Sequence, residues 1–186
     1  MTEEPFGRQS ENMNFIASSP GQLVIRFQRA ARWFVACHWF LAVATVVVLS
    51  LVVRMLLLPL SQLADYLFGV WHPSPMTNAS LGKMIIGGLI LGPLLETWLG
   101  QWLIFRLAEK VGLLPQRAMP VIFVSTGLFG LMHNYSAGYI VRAFGVGFVL
   151  AGSFWLLGGK ARAFKIVAGA HALLNSLAFL ADVYQR

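Results

Sequence analysis

The stretch FLAVATVVVLSLVVRMLLLPL, residues 40–60, decides the fold. Arg54 is its single charge, and its length is close to the ~20 apolar residues a helix needs to cross a hydrocarbon core. Nothing in an ordinary water-soluble core calls for so long an uninterrupted apolar helix. Arg54 falls near the end of the run, where a long side chain can snorkel to the headgroups, and it is read as doing so. The first span is expected over about residues 33–60.

The rest of the chain repeats the pattern. Of its 186 residues 58% are hydrophobic and 11% charged, against roughly a quarter charged in a soluble domain. Further spans are expected at about 81–107, 120–134, 137–157 and 163–184, the third short. The predicted fold is an all-α, polytopic transmembrane helical bundle of five to six spans. Residues 1–22 read as a flexible polar tail and 23–186 as a single membrane-embedded domain. Arg26, Arg29 and Arg32 recur at helical spacing in front of the first span and predict an amphipathic surface helix. Residues 61–80, with Tyr66, Trp71 and two prolines, read as a loop partly in the membrane interface.

Fourteen Lys and Arg give a net charge of +7. They gather at the ends of the apolar runs rather than along a polar face, which argues for contact with anionic membrane lipids and against nucleic acid. Their bias places the N-terminus in the cytoplasm and, with five spans, the C-terminus outside. The first apolar run starts too late and extends too far for a secretory signal. Cys37 is the only cysteine, so an intramolecular disulfide is impossible and its plain role is that of a small hydrophobe.

Four polar residues stand out because a polar group in an apolar helix is costly without a partner or a job. Glu96 in PLLETWLGQ is the only acidic residue at depth, a candidate general acid or base. Pro93, three residues earlier, frees a backbone carbonyl and predicts a kink, and glycines 87, 88, 92 and 100 allow close helix contact. His133 in FGLMHN ends the third span, with Phe129 one turn below on the same face. His171 and Asn175 in HALLNS are four apart and share a helix face. Histidine can move a proton or ligate a metal, and an Asn amide can donate to a developing oxyanion. One carboxylate, two imidazoles and an amide on three spans can activate water and stabilise a tetrahedral intermediate. The same set can also serve as packing glue in a non-catalytic scaffold or partner-binding protein, as a small transporter, or as a proton relay.

Glu96-Thr-x-x-x-Gln101, Phe129-x-x-x-His133 and His171-x-x-x-Asn175 resemble, in order and spacing, the motifs of the CPBP (Abi) family of CAAX-type prenyl endopeptidases and bacteriocin-processing proteins. The resemblance covers residues 81 to 180. It implies an intramembrane endopeptidase in a bacterial inner (plasma) membrane, acting on a membrane-associated or lipidated peptide. Glu96 and His133 would activate a water, and His171 and Asn175 would line the oxyanion site. Glu96, His133 and His171 could instead hold a divalent metal such as zinc. Since a compact HExxH pair is absent, the expectation is a glutamate-activated water with no obligatory metal. The family pattern is Glu-Glu-x-x-x-Arg, so Thr97 and Gln101 stand where a second carboxylate and a guanidinium are usual. Both can hydrogen-bond and could support Glu96 as a neutral network.

Other membrane proteases fit less well. There is no GxSG serine, Ser125 and Ser153 read as packing residues, and Asp65 lies outside the expected spans, so an aspartyl mechanism lacks its partner. Counting residues from the cytoplasmic ends puts His171 at ~9 Å, Glu96 at ~15 Å and His133 at ~20 Å of depth. A shared site requires that mismatch to be taken up.

Overall fold

The computed structural model describes residues 25–26, 28–30, 38–72 and 80–184. The predicted tail 1–22 and Cys37 lie outside these residues, as does most of the predicted surface helix, of which residues 25–26 and 28–30 are helical. The protein is an all-α polytopic bundle. Its helices are α1 (Trp39–Leu56), α2 (Leu58–Phe68), α3 (Leu81–Lys110), α4 (Ala118–Leu131), α5 (Ala137–Leu156) and α6 (Ala161–Tyr184). Among the described residues, α1, α3, α5 and α6 are long and apolar enough to cross a membrane. α4 has 14 residues, ~21 Å of helix, and is the short span that the sequence predicts.

α2 departs from the reading of 61–80 as a loop. A single residue, Leu57, separates it from α1, and Pro59 lies in its first turn, where the missing N–H is no loss. Its polarity is inverted: Ser61 is fully buried and Asp65 faces α5, while Leu60, Leu63, Leu67 and Phe68 are exposed. In a membrane this is the expected sense, because lipid solvates the apolar face and polar groups must satisfy one another inside. Gly69, at φ +74, stops the helix, and Trp71 and His72 donate their backbone N–H groups to the Tyr135 carbonyl at 2.9 and 3.1 Å. The segment after α2 is thereby strapped to the turn between α4 and α5.

Small residues set the helix spacing. A methyl at Gly138 would run into the Ser61 carbonyl and the Asp65 carboxylate, and one at Gly145 into Leu57 and Val53. Both glycines let α5 lie directly against the α1–α2 corner. The core between the spans holds Phe105, Phe129, Leu150, Ala151, Phe154 and Val167, all buried.

α3 is not a uniform α-helix. Residues Met84–Leu91 and Trp98–Leu103 are π-helical, and between them lies the short α stretch Gly92–Thr97 that carries Glu96. The first π stretch closes with the Gly92 N–H on the Gly87 carbonyl, five residues back. In that register the next donor would be residue 93, serving Gly88. Proline has no N–H to give, so the carbonyl left open by the predicted irregularity is that of Gly88.

Candidate functional site

Glu96, His133 and His171 meet. Glu96 Oε2 lies 3.4 Å from His133 Nε2 and 3.5 Å from His171 Nε2. The predicted difference in depth is therefore closed, and α3, the end of α4 and α6 each supply one side chain. Glu96 and His133 retain some exposure, whereas the His171 side chain is 3% exposed.

The hydrogen bond of His133 fixes its chemistry. Nδ1 lies 2.8 Å from the Phe129 carbonyl, which can only accept, so Nδ1 carries the hydrogen. In the neutral ring Nε2 is then a bare lone pair aimed at the Glu96 carboxyl. That contact is attractive when one proton is shared between the two groups, and such a pair can take up a proton and release it. His171 Nδ1 has no hydrogen-bond partner among the described residues, and neither has Glu96 Oε2.

Phe129 positions both imidazoles. Its ring is 4.7 Å from His133 and 5.3 Å from His171, and it is itself 2% exposed. Gly147 on α5 gives it room, since a Cβ there would lie 2.9 Å from the ring. Asn175, one turn beyond His171, donates Nδ2–H to the Gly88 carbonyl at 2.9 Å. An Asn amide has two hydrogens, and the second is not used by this bond.

Thr97 and Gln101 are completely buried, yet Thr97 Oγ1 and both Gln101 amide atoms lack a hydrogen-bond partner among the described residues. The neutral network that they could supply does not form among the described residues. Ser125, read as a packing residue, does bond across helices: its hydroxyl donates to the Gly100 carbonyl at 2.5 Å, inside the second π stretch. Among the described residues, no group of three or more His, Cys, Asp or Glu side chains is arranged to hold a metal ion.

A cavity of about 100 Å³ opens beside the histidines, lined by His133, His171, Asn175, Tyr139, Arg54 and Arg142, among others. The last three were not singled out as site residues in the sequence. Tyr139 stacks on His133 with centroids 5.7 Å apart, and the Arg142 guanidinium carbon lies 5.6 Å from the Tyr139 centroid. Arg142 also donates to Ser61 Oγ at 2.9 Å and lies 4.0 Å from Asp65. Arg54, expected to snorkel to the headgroups, is exposed in the last turn of α1 and borders this cavity. The signal for Tyr139 and Arg142 was their i, i+3 spacing in an apolar span, which puts both on one face.

The family model described as type II CAAX prenyl endopeptidase Rce1-like matches residues 78–177, more than half of the chain and the region that carries Glu96, His133, His171 and Asn175. No curated protein and no solved structure matches the chain.

Proposed function

Because the chain belongs to the Rce1-like family of type II CAAX prenyl endopeptidases, we propose that it hydrolyses a peptide bond of a membrane-associated or lipidated substrate at Glu96, within the bilayer. The observation that carries this reading is the convergence of two imidazole Nε2 atoms on one Glu96 oxygen, at 3.4 and 3.5 Å.

A water held by Glu96 and His133 attacks the scissile carbonyl carbon, and its proton passes to that pair. The carbonyl oxygen becomes an oxyanion and is met by the Nε2–H of His171 and the unused amide hydrogen of Asn175. Each such donor is worth roughly 10²–10³ in rate. Collapse of the intermediate breaks the C–N bond, and the Glu96–His133 pair returns its proton to the leaving amine. The products are a new carboxylate and a new amine. Every step uses the chain's own residues, and a metal is not obligatory in this scheme. The integral membrane location follows from the family and the apolar helices. The bacterial inner membrane is proposed from the family resemblance, and the cytoplasmic N-terminus from the charge bias.

The test is cleavage of a lipidated peptide by Glu96→Gln and His133→Ala proteins in nanodiscs. Loss of the general base should lower turnover by about 10²–10⁴-fold with melting temperatures within a few degrees of wild type. Undiminished cleavage by Glu96→Gln would overturn the proposal and leave the cluster a packing network.

A further inference from the structure

His133 stands on the turn after α4, and its Nδ1 bond to the Phe129 carbonyl is a single constraint on two side-chain torsions. Its Nε2 lies 3.4 Å from Glu96 Oε2, just beyond the roughly 2.7–3.2 Å of a good hydrogen bond. A small rotation of the imidazole therefore decides whether the two groups can share a proton. Tyr139 is placed to limit that rotation. Its ring lies nearly parallel to the imidazole, with 12° between the planes and 5.7 Å between the centroids, inside the ~4.5–7 Å of an offset stack. Its backbone is anchored as well. The Tyr139 N–H donates at 3.0 Å to the Ser136 hydroxyl that caps α5, and the neighbouring Gly138 N–H donates to Asp65 at 2.8 Å. Tyr135 stands edge-on to His133 and Tyr139, with centroids at 6.5 and 5.1 Å, and its carbonyl is held by the Trp71 and His72 N–H groups.

From this arrangement we infer that Tyr139 is a positioning residue: its ring sets the plane of the His133 imidazole and keeps Nε2 turned to Glu96. It acts through His133 and does not itself meet the reacting atoms. The inference rests on the endopeptidase reading for its effect on rate, and on the ring geometry alone for its effect on the imidazole. Phe129 touches both imidazoles, whereas Tyr139 stacks on that of His133. The contact is made by the face of the ring, and a phenylalanine offers the same face. Behind it, the Arg142 guanidinium carbon lies 5.6 Å from the Tyr139 centroid, and its Nη1 is tied to Ser61 at 2.9 Å, so the ring is braced by a neighbour that is itself fixed. Tyr139 is 38% exposed where it borders the cavity. A side chain so placed adds little to the core, and its removal should be felt at His133 more than in the fold.

The experiment reads the imidazole and the turnover separately. Full-length wild type, Tyr139→Phe and Tyr139→Leu are compared in phosphatidylcholine nanodiscs, with the ring N–H signal of His133 assigned by its loss in His133→Ala. In wild type and Tyr139→Phe the Nδ1–H, bonded to the Phe129 carbonyl, should give a resolved NMR signal. In Tyr139→Leu that signal should be lost to solvent exchange while the melting temperature stays within a few degrees of wild type. On a dye-labelled farnesylated peptide, Tyr139→Leu should lower kcat by about 10²-fold with KM within about twofold of wild type. Tyr139→Phe should keep kcat within about threefold of wild type. If Tyr139→Leu does not fold, Tyr139→Met decides by the same readouts. A His133 signal that survives Tyr139→Leu overturns the inference, as does an unchanged kcat. A raised KM at constant kcat makes Tyr139 a substrate contact, and a Tyr139→Phe protein as slow as Tyr139→Leu assigns the effect to the hydroxyl; either overturns it. A signal lost in Tyr139→Leu alone, in a protein whose cleavage does not depend on Glu96, sustains the positioning of His133 and overturns the protease reading.

Discussion

Asn175 on α6 donates its amide to the Gly88 carbonyl on α3 at 2.9 Å, the carbonyl that Pro93 leaves without a backbone donor. One residue therefore ties two helices together and is also offered to the reaction. The two roles are separable. Asn175→Ala should lower stability by about 1 kcal/mol and turnover by about 10²–10³-fold. Adding Pro93→Ala restores an N–H next to Gly88. The double variant should recover thermal stability and not activity, read by melting and cleavage on the same samples. Recovery of both would make Asn175 a purely structural residue.

Gly147 leaves space for Phe129, whose ring supports both histidines. Gly147→Ala should push the ring and cost about 1–3 kcal/mol as overpacking, and activity should fall further than stability explains. Gly152→Ala is the control, because a Cβ there meets nothing within 4 Å. Melting temperature and turnover of the pair decide whether Phe129 positions the imidazoles.

The strap at α2 should respond to acid. The Ser136 hydroxyl holds the Asp65 carboxyl below its ordinary value of 3.8; burial opposes this, and the Gly138 N–H and Arg142 add to the lowering. A lowered carboxyl stabilises the fold above its unfolded value, and that stability is lost as pH falls through the folded value. The difference in melting temperature between wild type and Asp65→Asn should be constant near neutrality, shrink below about pH 4 and vanish in stronger acid. A difference independent of pH would show that Asp65 acts by shape alone.

Chelation tests the glutamate reading. Cleavage by protein dialysed against EDTA and 1,10-phenanthroline should match that of untreated protein. Loss of activity that zinc restores would move Glu96, His133 and His171 from acid–base work to ligation.

Much of this was legible from the chain because a bilayer leaves few options: apolar runs become helices, and each polar residue within them needs a reason. Glu96, His133 and His171 could be named on that ground, and Pro93 announced an open carbonyl. Their meeting could not be read, since counting along each helix says how far a residue is from a membrane face and nothing about which way it leans. α2 was missed because Ser61 and Asp65 look like loop residues until lipid, rather than water, is taken as the solvent of its other face. Arg54, exposed in the last turn of α1, also borders the cavity beside the histidines, a neighbourhood that its position along the helix does not reveal. Gln101 and Thr97 illustrate the opposite failure: their capacity to bond was evident, and their lack of protein partners was not.

The two π stretches of α3 give the carboxyl a swivel. Glu96 rides on six residues, Gly92–Thr97, between two turns that each hold a wider register than the α-helix. A hydrogen-bond shift of one residue in either stretch would turn that segment by about 100° and advance it ~1.5 Å, without unwinding an end of the span or breaking its seal with lipid. The Glu96 carboxyl can thus be turned towards, or away from, His133 and His171 by a motion confined to its own helix.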